Sequence, residues 1–260
     1  MNPVTKKMKK DKVKIMRGND YIKFVNEYID KAWSTQEDKI REIADLLADT
    51  IEKKNNVFVF GCSHAGIIAE EVFYRTGGLA VINPIFFPGF MLNTRPITMT
   101  SQLERLPGLG KIILDQNHVK EGDLLILHSV SGRNTVPVDM AIEAKNRGVK
   151  TVCLTNLNYS GAVTSRHPSG KRLFEVCDYV IDNCGDVGDA AITLDGLAEK
   201  IGPTSTTVGA ALINALIIEA VEKMIADGIV PPVFMSANLN GGDEHNAKIF
   251  AEYKDNIFYM

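Results

Sequence analysis

The sequence predicts an α/β fold, a five-stranded parallel sheet layered between helices. Three observations carry this. Five short apolar runs, at residues 57–60, 79–82, 124–127, 150–154 and 179–181, have the length and the β-branched or aromatic content of buried strands. Helical patterns alternate with these runs, and that alternation gives a parallel sheet with helices on both faces. The chain has 260 residues, 45% of them apolar and 23% charged, which suits one large domain with a full core.

In chain order, residues 1–18 read as a basic flexible tail. Residues 1–17 carry seven Lys/Arg and one Asp, so they hold +6 against −9 for the rest. Such a tail can bind nucleic acid or an anionic membrane, and a disordered extension has the same composition. It lacks the apolar centre of a signal peptide, and no run approaches the ~20 apolar residues of a membrane span. A cytoplasmic protein without nucleic-acid or membrane partners is expected, with residues 19–260 as a single domain.

Residues 21–33 and 36–54 read as amphipathic helices. In the second, Ile40, Ile43, Ala44, Leu47 and Ile51 fall at three- and four-residue spacing. The first strand breaks at Gly61 into Cys62, Ser63 and His64, and a helical pattern over 65–76 stops at Gly77-Gly78. After the second strand, residues 83–100 hold three prolines and read as a long irregular loop, functional or at a subunit contact. A short helix is expected over 103–115. The third strand runs into His128 and then Ser129-Val130-Ser131-Gly132-Arg133-Asn134-Thr135. A helix starts there with Thr135 as its cap and Pro137 in its first turn, and ends before Gly148. The loop 182–205 holds Asp182, Asp186, Asp189 and Asp195 among glycines. Helix 206–226 is apolar all round over 208–218, so it is buried in the core or against another subunit. Asp243-Glu244-His245-Asn246 opens the last helix, with Asp243 a plausible cap.

The chemistry gathers at two strand ends, where ligands of such sheets bind. The first offers a strand, a small-residue turn and a helix N-terminus, a geometry that aims N–H groups at an anion. Glu71 follows His64 by seven residues and shares its helix face if the helical phase extends back. A solvated helix acid and a turn-ending histidine would give the same pattern. The second, from Ser129 to Thr135, is a neutral anion cradle of hydroxyls and N–H groups, or an ordinary serine-glycine turn. It lacks the Gly-Lys-Ser/Thr of a nucleotide loop and the Gly-x-Gly-x-x-Gly of a dinucleotide site. His128 reads equally as core or site, while His118 and His167 look like surface loop residues. Glu219 and Lys223 have the spacing of a helix ion pair. None of the four cysteines is spaced C-x-x-C, so neither a disulfide framework nor a zinc site is suggested. Cys62 is either a stabilised thiolate or a small residue filling a tight turn.

GCSHAGIIAEEVFYRTGG, HSVSGRNTVPV, Thr155-Asn156 and GPTSTT occur in the order expected of a SIS (sugar isomerase) domain. From about residue 20 to 255 the chain most resembles the small stand-alone bacterial SIS proteins described as phosphosugar-binding. The resemblance implies a SIS-type, flavodoxin-like three-layer fold, a homodimer or homotetramer, and a phosphorylated sugar held at the strand ends. It implies that Ser129, Ser131 and Asn134 hold the phosphate, with Asn134 where a threonine is usual, and that Ser63 and His64 face the sugar. Glu71 matches the catalytic glutamate of the heptose-phosphate isomerases. Those also use a histidine early in the last long helix, and residues 206–226 contain none. His64 or His245 is the substitute.

The sequence therefore leads to an aldose–ketose isomerase, with no metal or cofactor. Glu71 is the expected base and His64 or His245 the polarising group; Ser63, Ser129, Ser131, Asn134 and Thr135 bind substrate. Two alternatives stand beside it: a phosphosugar sensor without chemistry, and an amino-sugar-phosphate lyase or etherase, suggested by the Ser-Gly-Arg of the serine loop.

Overall fold

The computed structural model describes residues 17–260. The expected basic tail lies outside them except for Arg17 and Gly18, which already belong to the first helix. Helices α1 (Arg17–Ser34) and α2 (Glu37–Glu52) precede β1 (Val57–Gly61), α3 (Ile67–Val72) and β2 (Ile82–Pro84). Then come α4 (Thr98–Leu103), α5 (Leu109–Asp115), β3 (Leu124–His128), α6 (Thr135–Asn146) and β4 (Lys150–Thr155). The chain continues through α7 (Leu157–Gly161), β5 (Tyr179–Asp182), α8 (Ser205–Ala226) and α9 (Gly242–Glu252).

The five strands are all parallel, in the order β2-β1-β3-β4-β5. Strand order therefore reverses between β1 and β3, and a crevice opens at their carboxyl ends. Gly61 stands opposite His128 in the register, so the two polar loops leave the sheet side by side.

Alternation along the strands builds a core on each face. Val57, Val59, Leu124, Ile126, Val152 and Leu154 join α2 and α8 in one. Phe58, Phe60, Leu125, Leu127 and Cys153 join α5 and α6 in the other. Both faces are covered, which is why the strands read as continuous apolar runs. The predicted stripe of α2 is buried as expected.

Several local expectations need correction. The helix over 65–76 is a 3₁₀ turn, Ser63–Gly66, followed by only six α-helical residues. Phe73 turns extended and Tyr74 takes a φ of +44°. Their rings leave the helix to pack edge-on against Phe86, Phe234 and Tyr259, an aromatic contact that takes the place of another helical turn even though Tyr74 stays exposed. The second strand pairs three residues later than the apolar run suggests, because Leu79 bridges Val233 instead. Pro84 is tolerated because β2 is an edge strand. The helix expected over 103–115 forms only as α5, which starts after Gly108 with a φ of +81°, while α4 ends where that range begins and starts inside the stretch read as a loop. Thr135 is not a cap but the first residue of α6, buried, with its hydroxyl donating to the Arg166 carbonyl. Gly241, not Asp243, sits at the N-cap of α9. Lys223 pairs with Asp227 rather than Glu219.

Candidate functional site

At the carboxyl ends of β1 and β3 lies a cleft of about 300 Å³. The first loop supplies Cys62, Ser63 and His64, the serine loop supplies Ser129, Ser131 and Asn134, and more distant segments supply Glu104, Tyr159 and Asp189. A second cavity of about 370 Å³ lies beside α9 among Tyr74, Phe234, Asp243 and Phe250, and neither strand-end loop reaches it.

The serine loop is held so that its acceptors are used and its donors are free. Five consecutive carbonyls are tied back into the fold. Ser129 O accepts from Thr155 Oγ1 at 2.7 Å and Val130 O from Asn156 N at 3.1 Å. Ser131 O accepts from Ser160 Oγ at 2.6 Å, Gly132 O from Leu173 N and Arg133 O from Arg166 N, both at 2.8 Å. Among the described residues, no acceptor engages the backbone N–H groups from Val130 to Thr135 or the hydroxyls of Ser129 and Ser131. With the start of α6 behind it, this is a nest of donors suited to an anion. Gly132 makes it possible. Its φ is +58°, and a Cβ there would stand 2.6 Å from Ser160 Oγ. The Thr155 and Ser160 hydroxyls that brace the loop are fully buried.

The first loop is braced in turn by His128. This residue is buried, and its Nδ1–H donates to the Ala65 carbonyl at 2.9 Å. Its Nε2 is buried without a partner among the described residues. Burial lowers its pKa below the ordinary histidine value, outweighing the opposing Ala65 bond and the charge of Asp189. The ring is a neutral strut between the two strand ends. Ser63 takes a φ of +55° in the same loop, a left-handed conformation that a non-glycine residue holds only where its surroundings impose it. Gly61 is required beneath it, since a Cβ would meet the Ala65 carbonyl oxygen at 2.4 Å.

Two carboxylates face the cleft, and they differ. Asp189 accepts from the backbone N–H groups of Thr204 and Ser205 at 3.2 and 2.9 Å, and from Ser205 Oγ at 2.6 Å. Both its oxygens are thus occupied in holding the start of α8. Glu104 is half-buried. Burial raises its pKa above the ordinary glutamate value, against the Asn134 amide and the charges of Arg105 and Arg166. Arg105, Arg133 and Arg166 lie near enough for the first two to lower the pKa of the third, after burial as the larger cause. Arg133 belongs to the serine loop and Arg166 donates to Asn134 Oδ1 at 2.7 Å, so positive charge stands close to the cleft without lining it. The Cys62 thiol is buried and its pKa is raised by burial and then by the Glu104 charge, so the turn-filling reading holds over the thiolate. Among the described residues, no three His, Cys, Asp or Glu side chains are grouped to hold a metal ion.

Of the expected site residues, Ser63, His64, Ser129, Ser131 and Asn134 meet in the cleft. Thr135 lies buried behind the loop. Glu71 lies elsewhere, on α3, where its carboxylate accepts from Asn214 Nδ2 at 3.0 Å and from Arg75. His245 is also outside the cleft, bonded to the Val233 carbonyl at 2.9 Å, while Asn246 clasps both backbone groups of Met235. The cluster that opens α9 anchors the C-terminal segment. His167 is not a loose surface residue. It bonds Asp139 at 2.9 Å and Ser169 Oγ at 2.7 Å. Sequence reasoning missed Glu104, Tyr159 and Asp189. Only Asp189 left a signal, as one of four aspartates in a glycine-rich loop.

A SIS-domain family profile matches residues 20–156. A UPF0309 protein of Oceanobacillus iheyensis is 52% identical over 87% of this chain and 93% of its own length. Another, from Shouchella clausii, is 48% identical over 92% of this chain and 98% of its own. Among solved structures, a phosphoheptose isomerase of Francisella tularensis superposes with a TM-score of 0.53 at 15% identity, covering 79% of this chain and 97% of that one. The phosphoheptose isomerase of Neisseria gonorrhoeae gives 0.52 at 14% identity, with the same coverage of 79% and 97%. At such identity the likeness is one of fold.

Proposed function

The chain belongs to the SIS-domain family, and from that premise we propose that it binds a phosphorylated sugar in the serine cleft and interconverts its aldose and ketose forms. The observation that carries this is the inverted polarity of the serine loop, with five carbonyls tied back and the donors from Val130 to Thr135 left for an anion. A dianionic phosphate satisfies those donors, and the nearby arginines favour its approach. Phosphate binding then supplies the energy that positions the sugar carbons. A carboxylate moves the proton between C1 and C2, and His64 polarises the carbonyl oxygen or assists ring opening. Glu71 and His245 take part only if a neighbouring copy brings them to the cleft.

A cytoplasmic homo-oligomer is part of this proposal. Ile218 and Ile225 on the outer face of α8 are 64% and 60% exposed, an apolar surface that a second subunit would cover. The test is incubation with sugar phosphates in deuterium oxide, followed by NMR. The isomerase reading expects deuterium at C2 of recovered aldose phosphate. Binding without exchange replaces it with the sensor reading, and release of a leaving group with the lyase reading.

A further inference from the structure

Resting on the reading of the cleft as a sugar-phosphate site, we propose that Glu104 is its general acid–base, the carboxylate that takes the proton from the carbon beside the sugar carbonyl. Position is the first ground. The Glu104 carbonyl accepts from Val136 N at 3.1 Å, which fixes the residue against the start of α6. It lines the cleft with Cys62 and Ser63 of the β1 loop on one side and Ser129, Ser131 and Asn134 of the β3 loop on the other. It thus spans the crevice where strand order reverses.

Elimination is the second ground. Asp189 has both oxygens engaged at the start of α8. Glu71 is engaged by Asn214 and Arg75. The Cys62 thiol is buried and kept protonated. Of the cleft's two carboxylates, Glu104 is the one not tied down by backbone and hydroxyl donors as Asp189 is, and no arginine or lysine pairs with it among the described residues; Arg105 and Arg166 act on it only through space. A carboxylate beside a phosphate cradle repels the phosphate. It has a use only toward the uncharged part of the ligand, where the sugar carbons lie. Its raised pKa brings it nearer neutral pH, where a carboxylate accepts and returns a proton more effectively.

The step balances within the substrate. The C2–H bond breaks and its proton passes to a Glu104 oxygen. The electron pair forms C1=C2, the C1=O π pair moves onto O1, and O1 takes a proton to give the enediol. The O2 proton leaves, C2=O forms, and Glu104 returns its proton to C1. C1 is reduced and C2 oxidised, and no outside electron acceptor is needed.

The experiment measures C2 exchange in deuterium oxide beside thermal-shift titrations. It uses a panel of hexose 6-phosphates, N-acetylhexosamine 6-phosphates and sedoheptulose 7-phosphate. Glu104→Gln is expected to keep wild-type binding within about threefold and to lose about 10²–10⁴-fold in exchange rate. Glu104→Asp is expected to recover part of that rate, which a merely structural residue would not require. Wild-type exchange by Glu104→Gln with binding intact overturns the assignment and leaves the ligand reading standing. Loss of binding in both variants overturns it in favour of a structural role. A larger loss of exchange in Glu71→Gln returns the role to Glu71. A wild-type protein that binds none of the panel overturns the ligand reading, and the assignment with it.

Discussion

Replacing His128 by phenylalanine should remove a pH dependence of stability that this one ring creates. The unfolded chain has an ordinary histidine pKa of about 6.5. The folded pKa is lower, because burial disfavours the imidazolium more than the Ala65 bond and Asp189 favour it. As pH falls, the unfolded chain therefore takes up this proton first. The contribution is complete above about pH 6.5 and is lost as pH drops from there towards the folded pKa. Between about pH 7.5 and 5.5, protonation of the unfolded histidine grows by about one decade, so the ring loses up to about 1.4 kcal/mol, the full amount only if it stays neutral in the fold throughout. At the higher pH the substitution itself should be mild. It removes a hydrogen bond worth about 1 kcal/mol net, and with it a buried nitrogen, unpartnered among the described residues, whose burial is unfavourable by a similar amount. Urea unfolding of both proteins at both pH values gives the double difference, in which the other four histidines and the carboxylates cancel. A variant that loses as much stability on acidification as the wild type would refute the neutral strut.

Two further outcomes follow from the loops. Gly132→Ala should lower stability by at least about 1–2 kcal/mol, the strain of a left-handed residue, before its contact with Ser160 is counted, and should abolish sugar-phosphate binding; chemical denaturation and calorimetric titration read the two effects. Asp189→Ala leaves the Thr204 and Ser205 donors of α8 without their acceptor and should be destabilising by about 1–3 kcal/mol, read by thermal unfolding with Ser205→Ala as the milder comparison.

The sheet and the serine loop were legible in the sequence because their information is local. A buried strand declares itself in four apolar residues, and Ser129 to Thr135 carry their donors in one contiguous run. What was illegible depends on tertiary contact. Phe73 and Tyr74 end α3 early because Phe86, Phe234 and Tyr259 offer their rings a better place, and those partners are distant in sequence. His128 could be read equally as core or site until its bond to Ala65, 63 positions away, made it a strut. Glu104 follows α4 with no motif around it, and it reaches the cleft only because its carbonyl docks on Val136. Glu71 read as a site residue both from its match to the heptose-phosphate isomerases and from its spacing to His64; the spacing assumed a continuous helix, and the 3₁₀ turn over Ser63–Gly66 changes that phase.

The central claim is that the free donors of the serine loop hold a sugar's phosphate. A thermal-shift screen of phosphorylated sugars beside their unphosphorylated forms, on the wild type and on Ser129→Ala/Ser131→Ala, tests it most directly. A phosphorylated sugar at a hundred times its dissociation constant should stabilise the wild type by about 2.7 kcal/mol. Its unphosphorylated form should give no shift, and the double variant should lose the response while keeping its own melting temperature near that of the wild type. A phosphorylated sugar that stabilises the double variant as much as the wild type would contradict the claim, because the phosphate would then be held somewhere else.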